Sequence, residues 1–421
     1  MKTTLDARGE RLLINDRETY AETAGTDPDM HGLLMNARFI QGIFDDATGR
    51  ARYARFGADR FDPEEHTDAL IAALPQWYGY GLRAFTVGLQ GGMPVFTIQN
   101  ETIDNNPYAD EGRKIDPAYL KRLDRLIAAA DEVGMIAIVS LLYQGQAPRM
   151  KHEQTFRNAV STACRFLREL GRNNIIVEVA NEQNVGEFNH HPIIFEPSRM
   201  AELLAFARSE SGGLPVGCSS GGGLAFDEIV RSSDIILVHG NGCSREQYYR
   251  MIRRVRNLGL ERPIVCNEDS PCIGQLAVAY ATKSSWGYYN NLTKQEPPVD
   301  WTVTPGEDLF FARRMARGLG IALTDLPREE QYMFQGFEPR MTYDGKRWLC
   351  VASEYPESID HVEFIHDGVL IDTAWDEPFY LHSLSTWEAE PIDAARAGRG
   401  AWTARIFLRS GELIERHDEI S

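Results

Sequence analysis

Between about residue 33 and residue 325 the chain alternates short apolar runs with longer stretches whose apolar residues recur at helical spacing. The runs 33–44, 82–89, 136–142, 174–180, 214–219, 234–239, 263–267 and 286–290 predict eight strands. Helices are predicted over 62–80, 116–133, 153–170, 197–209, 245–258, 273–282 and 307–319, with a short one from Phe226. The second of these has a defined start. Asp116 can accept hydrogen bonds from the first turn, and Pro117 follows where a missing N–H costs nothing. A helix after every strand predicts a parallel α/β sheet, and eight such units predict closure into a (β/α)8 TIM barrel. An open doubly wound sheet is the alternative. No GxGxxG or GxxxxGK[ST] follows any of the strands to support it.

From about residue 330 the pattern changes from helical to alternating. Runs 362–365 and 369–373 flank His366-Asp367-Gly368 and predict a hairpin, and 402–408 before Ser410-Gly411 predicts a further strand and turn. The expected organisation is a barrel over 26–326 followed by a small antiparallel, β-sandwich-like C-terminal domain over 327–421. Residues 1–25 hold an N-terminal hairpin, within 11–20, that either closes the base of the barrel or joins the small domain.

Composition narrows the partners. The net charge of −17, from 61 acidic and 44 basic side chains, disfavours nucleic acid and anionic membrane surfaces. No run approaches the roughly 20 apolar residues that cross a bilayer, and the start of the chain has no signal-peptide core. The six cysteines form no CxxC pair and no zinc-ligand spacing, so free thiols in a reducing compartment, the cytoplasm, are expected.

In a β/α barrel the reacting groups gather at the carboxyl ends of the strands. Strand four ends in Asn181-Glu182-Gln183-Asn184, strand seven in Asn267-Glu268-Asp269, strand six in His239-Gly240-Asn241 and strand three in Tyr143-Gln144. Strand two ends in Gln90-Gly91-Gly92 and strand one in Asp45-Asp46, while strand eight opens with Trp286. Two carboxylates three strands apart can face each other across a sugar ring, one protonating the leaving oxygen and the other attacking the anomeric carbon. An amide beside the acid, here Asn181, can hold a sugar hydroxyl.

The pair Asn181-Glu182 at the end of strand four, with Glu268 closing strand seven after Pro263-Ile264-Val265-Cys266-Asn267, resembles clan A of the retaining glycoside hydrolases. The resemblance implies a carbohydrate substrate, Glu182 as acid/base, Glu268 as nucleophile, and sugar subsites at His239 and Trp286, with neither cofactor nor metal. Asn241, Tyr143, Gln144, Gln90 and Asp45 complete the expected substrate-binding set. The chain departs from the pattern in having Gln183 where a proline follows Asn-Glu, and Asn241 where strand six usually offers a tyrosine. It is similar to the clan as a divergent member.

Other readings compete. Glu182 and Glu268 can each be held in a structural ion pair at a loop base, and a non-catalytic carbohydrate-binding barrel would keep the same aromatic residues. A metal-dependent hydrolase or lyase would draw on His190, His191, His239 and Asp45, without an HxH or HExxH to anchor them. Glu178 shares the strand side of Glu182 and is expected as a buried partner of Arg38 or Arg83. Trp375 and Trp387 are expected in the core of the small domain. Gly221-Gly222-Gly223 is expected as a close-packed loop.

Overall fold

The computed structural model describes residues 2–54, 61–93, 102–343, 345–393 and 399–420. Eight short parallel strands carry the first part of the chain: β1 Asn36–Arg38, β2 Ala84–Gly88, β3 Ile136–Tyr143, β4 Ile175–Asn181, β5 Val216–Gly217, β6 Ile236–His239, β7 Ile264–Glu268 and β8 Gly287–Tyr288. Six of them form one sheet in the order β5-β4-β3-β2-β1-β8, and β6 and β7 form a second. Hydrogen bonds join the two sheets on both sides. Asp234 N and Ile235 N donate to Val216 O at 2.8 and 3.4 Å, and Ser285 N donates to Ile264 O at 3.0 Å.

Some strands are shorter than their apolar runs. β1 stops at Arg38 because the next residues turn, with Gly42 N donating to Phe39 O and Phe44 N to Gln41 O, both at 2.9 Å. The apolar character of 39–44 reflects a buried loop, not a longer strand. β5 and β8 are likewise reduced to two residues each.

The helices α1 Pro63–Gly79, α2 Pro117–Val133, α3 Glu153–Glu169, α4 Pro197–Glu210, α5 Asp227–Ser232, α6 Arg245–Arg256, α7 Gln275–Ala281 and α8 Glu307–Gly318 alternate with the strands. Their apolar faces and the strands share one core that runs from Tyr20 to Leu319. The Asp116 carboxylate accepts from Ala118 N at 2.7 Å and so caps α2. Asp116→Ala is expected to lower stability by about 1 kcal/mol. A urea midpoint unchanged from wild type would remove Asp116 from the capping role.

At the amino-terminal side of the strands lies a three-stranded antiparallel sheet of Leu5–Arg8, Arg11–Ile14 and Arg17–Glu18. Leu12 packs with Leu34, Ala84, Ile136, Ile176 and Leu237, which are residues of the strands and their leading edges. This segment therefore packs against the base of the parallel strands.

Beyond residue 330 all strands are antiparallel. The main sheet has the order Val369–Ala374, Ile359–His366, Gly400–Leu408, Leu413–Ile420, and two three-stranded sheets accompany it. The hairpin closes at His366↔Val369 over Asp367 and Gly368, whose φ values of 46° and 80° suit a two-residue turn. Contacts with the α/β part are specific. Arg313 Nε donates to Glu354 Oε2 at 2.6 Å, and Tyr380 Oη donates to Glu307 Oε1 at 2.8 Å.

Candidate active site

The ends of β1, β4, β6 and β7 converge on a buried cluster of charge. Glu182 follows β4 with a left-handed backbone, φ 50°. Its N–H donates to Ser219 Oγ at 3.0 Å, and Gln183 N donates to Ser219 O at 3.1 Å. Ser219 thus holds the turn that lifts the Glu182 carboxyl off the strand. A register shift between Val238 and His239 sets His239 opposite Glu268 across β6 and β7. His239 Nδ1 is hydrogen-bonded to Glu182 Oε1 at 2.9 Å and lies 3.6 Å from Glu268 Oε2. Glu182, Glu268 and His239 each bring one polar atom into a group in which all are within 4.8 Å of one another.

Arg38 lies under this group. Its Nε is 2.8 Å from Glu268 Oε2 in an ion pair, and its Nη2 donates to Asn181 Oδ1 at 2.6 Å. Asn241 Nδ2 donates to the other oxygen of Glu268, at 3.1 Å. Burial pushes the Glu268 carboxyl up, the charges of Arg38 and His239 pull against that, and Glu182 and Glu178 push it further, for a net rise. Burial opposes charge on His239, but Glu268, Glu182 and Glu178 together raise its pKa. Tyr143 stands beside the pair, its phenol pushed up to about 12 by burial and then by Glu268 and Glu182.

Asp269, the neighbouring acid, points the other way. It accepts from Trp286 Nε1 at 2.6 Å and from Ser270 Oγ at 3.0 Å, inside the core. The strand irregularity opposite His239 breaks the period of two here, so that Asn267 and Glu268 both face the charged cluster and Asp269 turns into the core.

Of the residues expected from sequence, Glu182, Glu268, Asn181, His239 and Asn241 come together, with Tyr143 adjacent. Others do not join them. Trp286 is fully buried and packs on Phe311 at 5.7 Å, so it offers no open face to a sugar. In β8 the period of two sends Trp286 and Tyr288 towards α8, where Tyr288 stacks on Phe311 at 4.3 Å. Tyr289 takes the opposite side, with the Arg38 guanidinium 5.4 Å from its ring. Asp45 is clamped by Arg50 through both oxygens, at 2.9 and 2.7 Å. Gln90 accepts from Tyr143 N and donates to Asn106, both at 2.8 Å, and Gln144 accepts from Glu187 N at 3.2 Å. These two amides tie loops together.

Glu178 is buried as expected, but with different partners. Ser219 Oγ and Asn267 Nδ2 donate to its Oε1 at 2.7 and 3.0 Å, and His239 Nε2 is 3.9 Å away. Arg38 serves Glu268 instead, and Arg83 pairs with Glu22 at 3.3 Å. Ser219 and Tyr289 are the site residues that sequence reasoning missed, while Arg38, expected against Glu178, pairs with Glu268 instead. The signal for Arg38 lies in its place at the end of β1, where a buried guanidinium needs a carboxylate.

Among the described residues, the one set of three metal-type ligands is Glu182, His239 and Glu268. A cation there would sit against the Arg38 guanidinium, already 2.8 Å from Glu268, so the charge present favours a carboxylate pair over a metal. His191 packs on Phe156 at 4.7 Å, and His190 does not enter the cluster. The six cysteines are buried, and no helix among the described residues is long and apolar enough to cross a membrane.

Three carboxyls outside the cluster, Asp269 and Glu307 buried and Glu377 half-buried, are held high, in each case first by loss of solvent: Asp269 to about 8, and Glu307 and Glu377 to about 7. Glu307 accepts from Tyr380, and Glu377 accepts from Gly274 N, so both lie where the C-terminal strands meet the α/β part. A folded-state pKa above the unfolded value stabilises the fold fully below about pH 4 and less as pH rises through 7–8. The melting temperature is therefore expected to fall between pH 5 and pH 9, and to fall less in Asp269→Asn. A melting temperature that rises over this range in the wild type would contradict the protonated state of these groups.

No protein-family model matches the chain, and no curated protein matches it. Solved structures similar to it include the endo-β-1,4-mannanase of Thermotoga petrophila, at 12% identity and TM-score 0.44 over 91% of this chain and 96% of that one. The β-1,4-D-mannanase of Cryptopygus antarcticus is similar at 10% identity and TM-score 0.46, over 76% and 94% of the two chains. The β-glucuronidase 2 of Bacteroides uniformis is similar at 10% identity and TM-score 0.42, over 100% of this chain and 48% of that one. Likeness of this order leaves reaction and substrate to be argued from the chain's own residues.

Proposed function

We propose that the protein is a retaining glycoside hydrolase built on a closed (β/α)8 barrel. Closure is supported by the hydrogen bonds that join β5 to β6 and β7 to the start of β8. It is supported also by side chains that reach across the interior, Asn267 Nδ2 to Glu178 and Arg38 Nη2 to Asn181. The observation that carries the reaction is the approach of Glu182 and Glu268 oxygens to within 4.8 Å. Retaining enzymes hold their two carboxyls about 5–5.5 Å apart, and inverting enzymes leave about 6.5–9.5 Å for a water.

In the first step a Glu268 oxygen attacks the anomeric carbon and the Glu182 proton passes to the departing glycosidic oxygen. The bond to the leaving group breaks as the glycosyl–Glu268 ester forms. In the second step Glu182 takes a proton from water, whose oxygen displaces Glu268 and restores the original configuration. Arg38 favours the ionised form of Glu268, and Arg38 and Asn241 together fix its orientation. The arrangement asks for no cofactor.

The test is hydrolysis of a panel of nitrophenyl glycosides and neutral polysaccharides, with the product anomer followed by proton NMR. The first product is expected in the anomeric configuration of the substrate. The opposite anomer would replace retention by inversion. Binding without cleavage across the panel would leave a carbohydrate-binding barrel as the reading.

A further inference from the structure

A cleft of about 750 Å3 lies between the loops after β6 and β7 and the C-terminal strands, lined by Arg245, Gln275, Asp376, Glu377 and Thr386 among others, and by Trp375. That volume is within the range of about 300–1,000 Å3 usual for small-molecule sites. Trp375 was expected in a core, but it is 63% exposed, whereas Trp77, Trp286, Trp301, Trp348 and Trp402 are buried. Its plane is nevertheless fixed. His361 stacks on it with centroids 4.6 Å apart and 27° between planes, and His361 stacks in turn on Phe407 at 4.3 Å and 11°. His361 and Phe407 are cross-strand partners in the main antiparallel sheet, so the stack stands on a rigid base. A large apolar ring kept in water, ordered from behind and facing a polar cavity, is a platform without a load.

The charges of the cleft limit what can occupy it. Glu246 and Glu357 are paired with Arg250 and Arg314, Glu377 is held up to about 7 by burial, and Asp372 and Asp376 balance Arg245 and Arg409, so the cleft offers little net charge to an ionic ligand. A neutral ligand with one apolar face and many hydroxyls suits both the indole and the carboxylate rim. The cleft also communicates with the candidate active site. Gly242 N donates to Thr386 Oγ1 at 2.7 Å, and the preceding residue is Asn241, which donates to Glu268.

We propose that this cleft binds a neutral carbohydrate chain, with Trp375 stacking on a sugar ring and Arg245 and Asp376 meeting its hydroxyls. The choice of carbohydrate over other neutral ligands rests on the glycosidase reading, which the site deepens by adding a hold on polymer outside the catalytic pair. The test is affinity electrophoresis of the full chain through gels cast with soluble galactomannan, xylan or hydroxyethyl cellulose. The wild type is expected to be retarded by at least one of them. Trp375→Ala is expected to bind that polymer at least tenfold more weakly, and Trp375→Tyr, which keeps a stacking face, within about threefold of wild type. Unchanged thermal melting of the variants establishes that the fold is intact. Retardation of Trp375→Ala equal to wild type, or a wild type that no polymer retards, overturns the proposal. Wild-type cleavage, assayed beside polymer binding, separates the two ideas. If polymer binds through Trp375 while nothing is ever cleaved, the glycosidase reading falls and the cleft stands. If glycosides are cleaved while Trp375 is indifferent, the reverse holds.

Discussion

Glu268→Gln is expected to abolish turnover of every glycoside the wild type cleaves, while Glu182→Gln keeps a residual rate that depends on the leaving group. The difference follows from the two roles. An amide in place of the Glu268 carboxylate cannot form the glycosyl ester, so no substrate escapes the loss. Without the Glu182 proton, the departing oxygen must leave as an anion. An alkyl or sugar alkoxide does so poorly, and a loss of about 10²–10⁴-fold is expected. A dinitrophenolate needs little protonation, so its glycosyl–enzyme bond still forms and slow deglycosylation then limits the rate. A burst of dinitrophenol followed by a slow phase in Glu182→Gln is the signature to look for. Equal losses on activated and unactivated substrates would remove Glu182 from acid catalysis. The pH profile supplies a second reading. Glu182 is among the charges that push the Glu268 carboxyl up, so Glu182→Gln lets its pKa fall. The acidic limb of kcat/KM is then expected to move to lower pH.

Arg38→Met should shift the same limb the opposite way and cost far more stability. Arg38 and Glu268 are both buried, with side chains 1% and 7% exposed, and their ion pair is 2.8 Å long. Removing one member of such a pair leaves the other charge uncompensated, at a cost of about 3–5 kcal/mol. Glu268 escapes part of that cost by taking up a proton, which raises its pKa because the Arg38 charge no longer lowers it. The free nucleophile is then ionised only at higher pH, and the acidic limb of kcat/KM moves upward. Arg38→Lys keeps the charge but gives up one of the two contacts, to Glu268 or to Asn181, and should fall between. The double variant Arg38→Met, Glu268→Gln is expected to recover most of the lost stability without recovering activity. An unchanged urea midpoint in Arg38→Met would show that the pair is not the buried charge couple inferred here.

Much of this organisation could be read along the chain because the strands and helices differ so plainly in period. Each expected strand position holds parallel β-structure, and the antiparallel hairpin over Asp367 and Gly368 falls where the turn residues lie. Glu182, Glu268, Asn181, His239 and Asn241 were legible because each stands at the carboxyl end of a strand, where fold geometry gathers side chains. Three kinds of information were not local. Partner choice was the first: Arg38 meets Glu268 and Asn181, which lie far along the chain, and Glu178 is met by Ser219 and Asn267. Side-chain direction near a strand end was the second, as in β8, where one residue of offset sends Trp286 to the core and Tyr289 to Arg38. The third was loop assembly. Gln90, Gln144 and Asp45 have the chemistry of substrate ligands, but the loops they join use up their polar atoms.

The left-handed backbone at Glu182 bears on how this chain can change over generations. A φ of 50° suits glycine or asparagine, and a glutamate there holds a conformation that side chains with a Cβ seldom adopt. Folding alone would select against it, since a residue in a sparsely populated region costs on the order of 1–3 kcal/mol. On the proposed reading of Glu182 as the acid/base, chemistry is what retains it there. In a lineage released from catalysis, position 182 is where drift would act early, because the substitution that silences the centre also relaxes the chain.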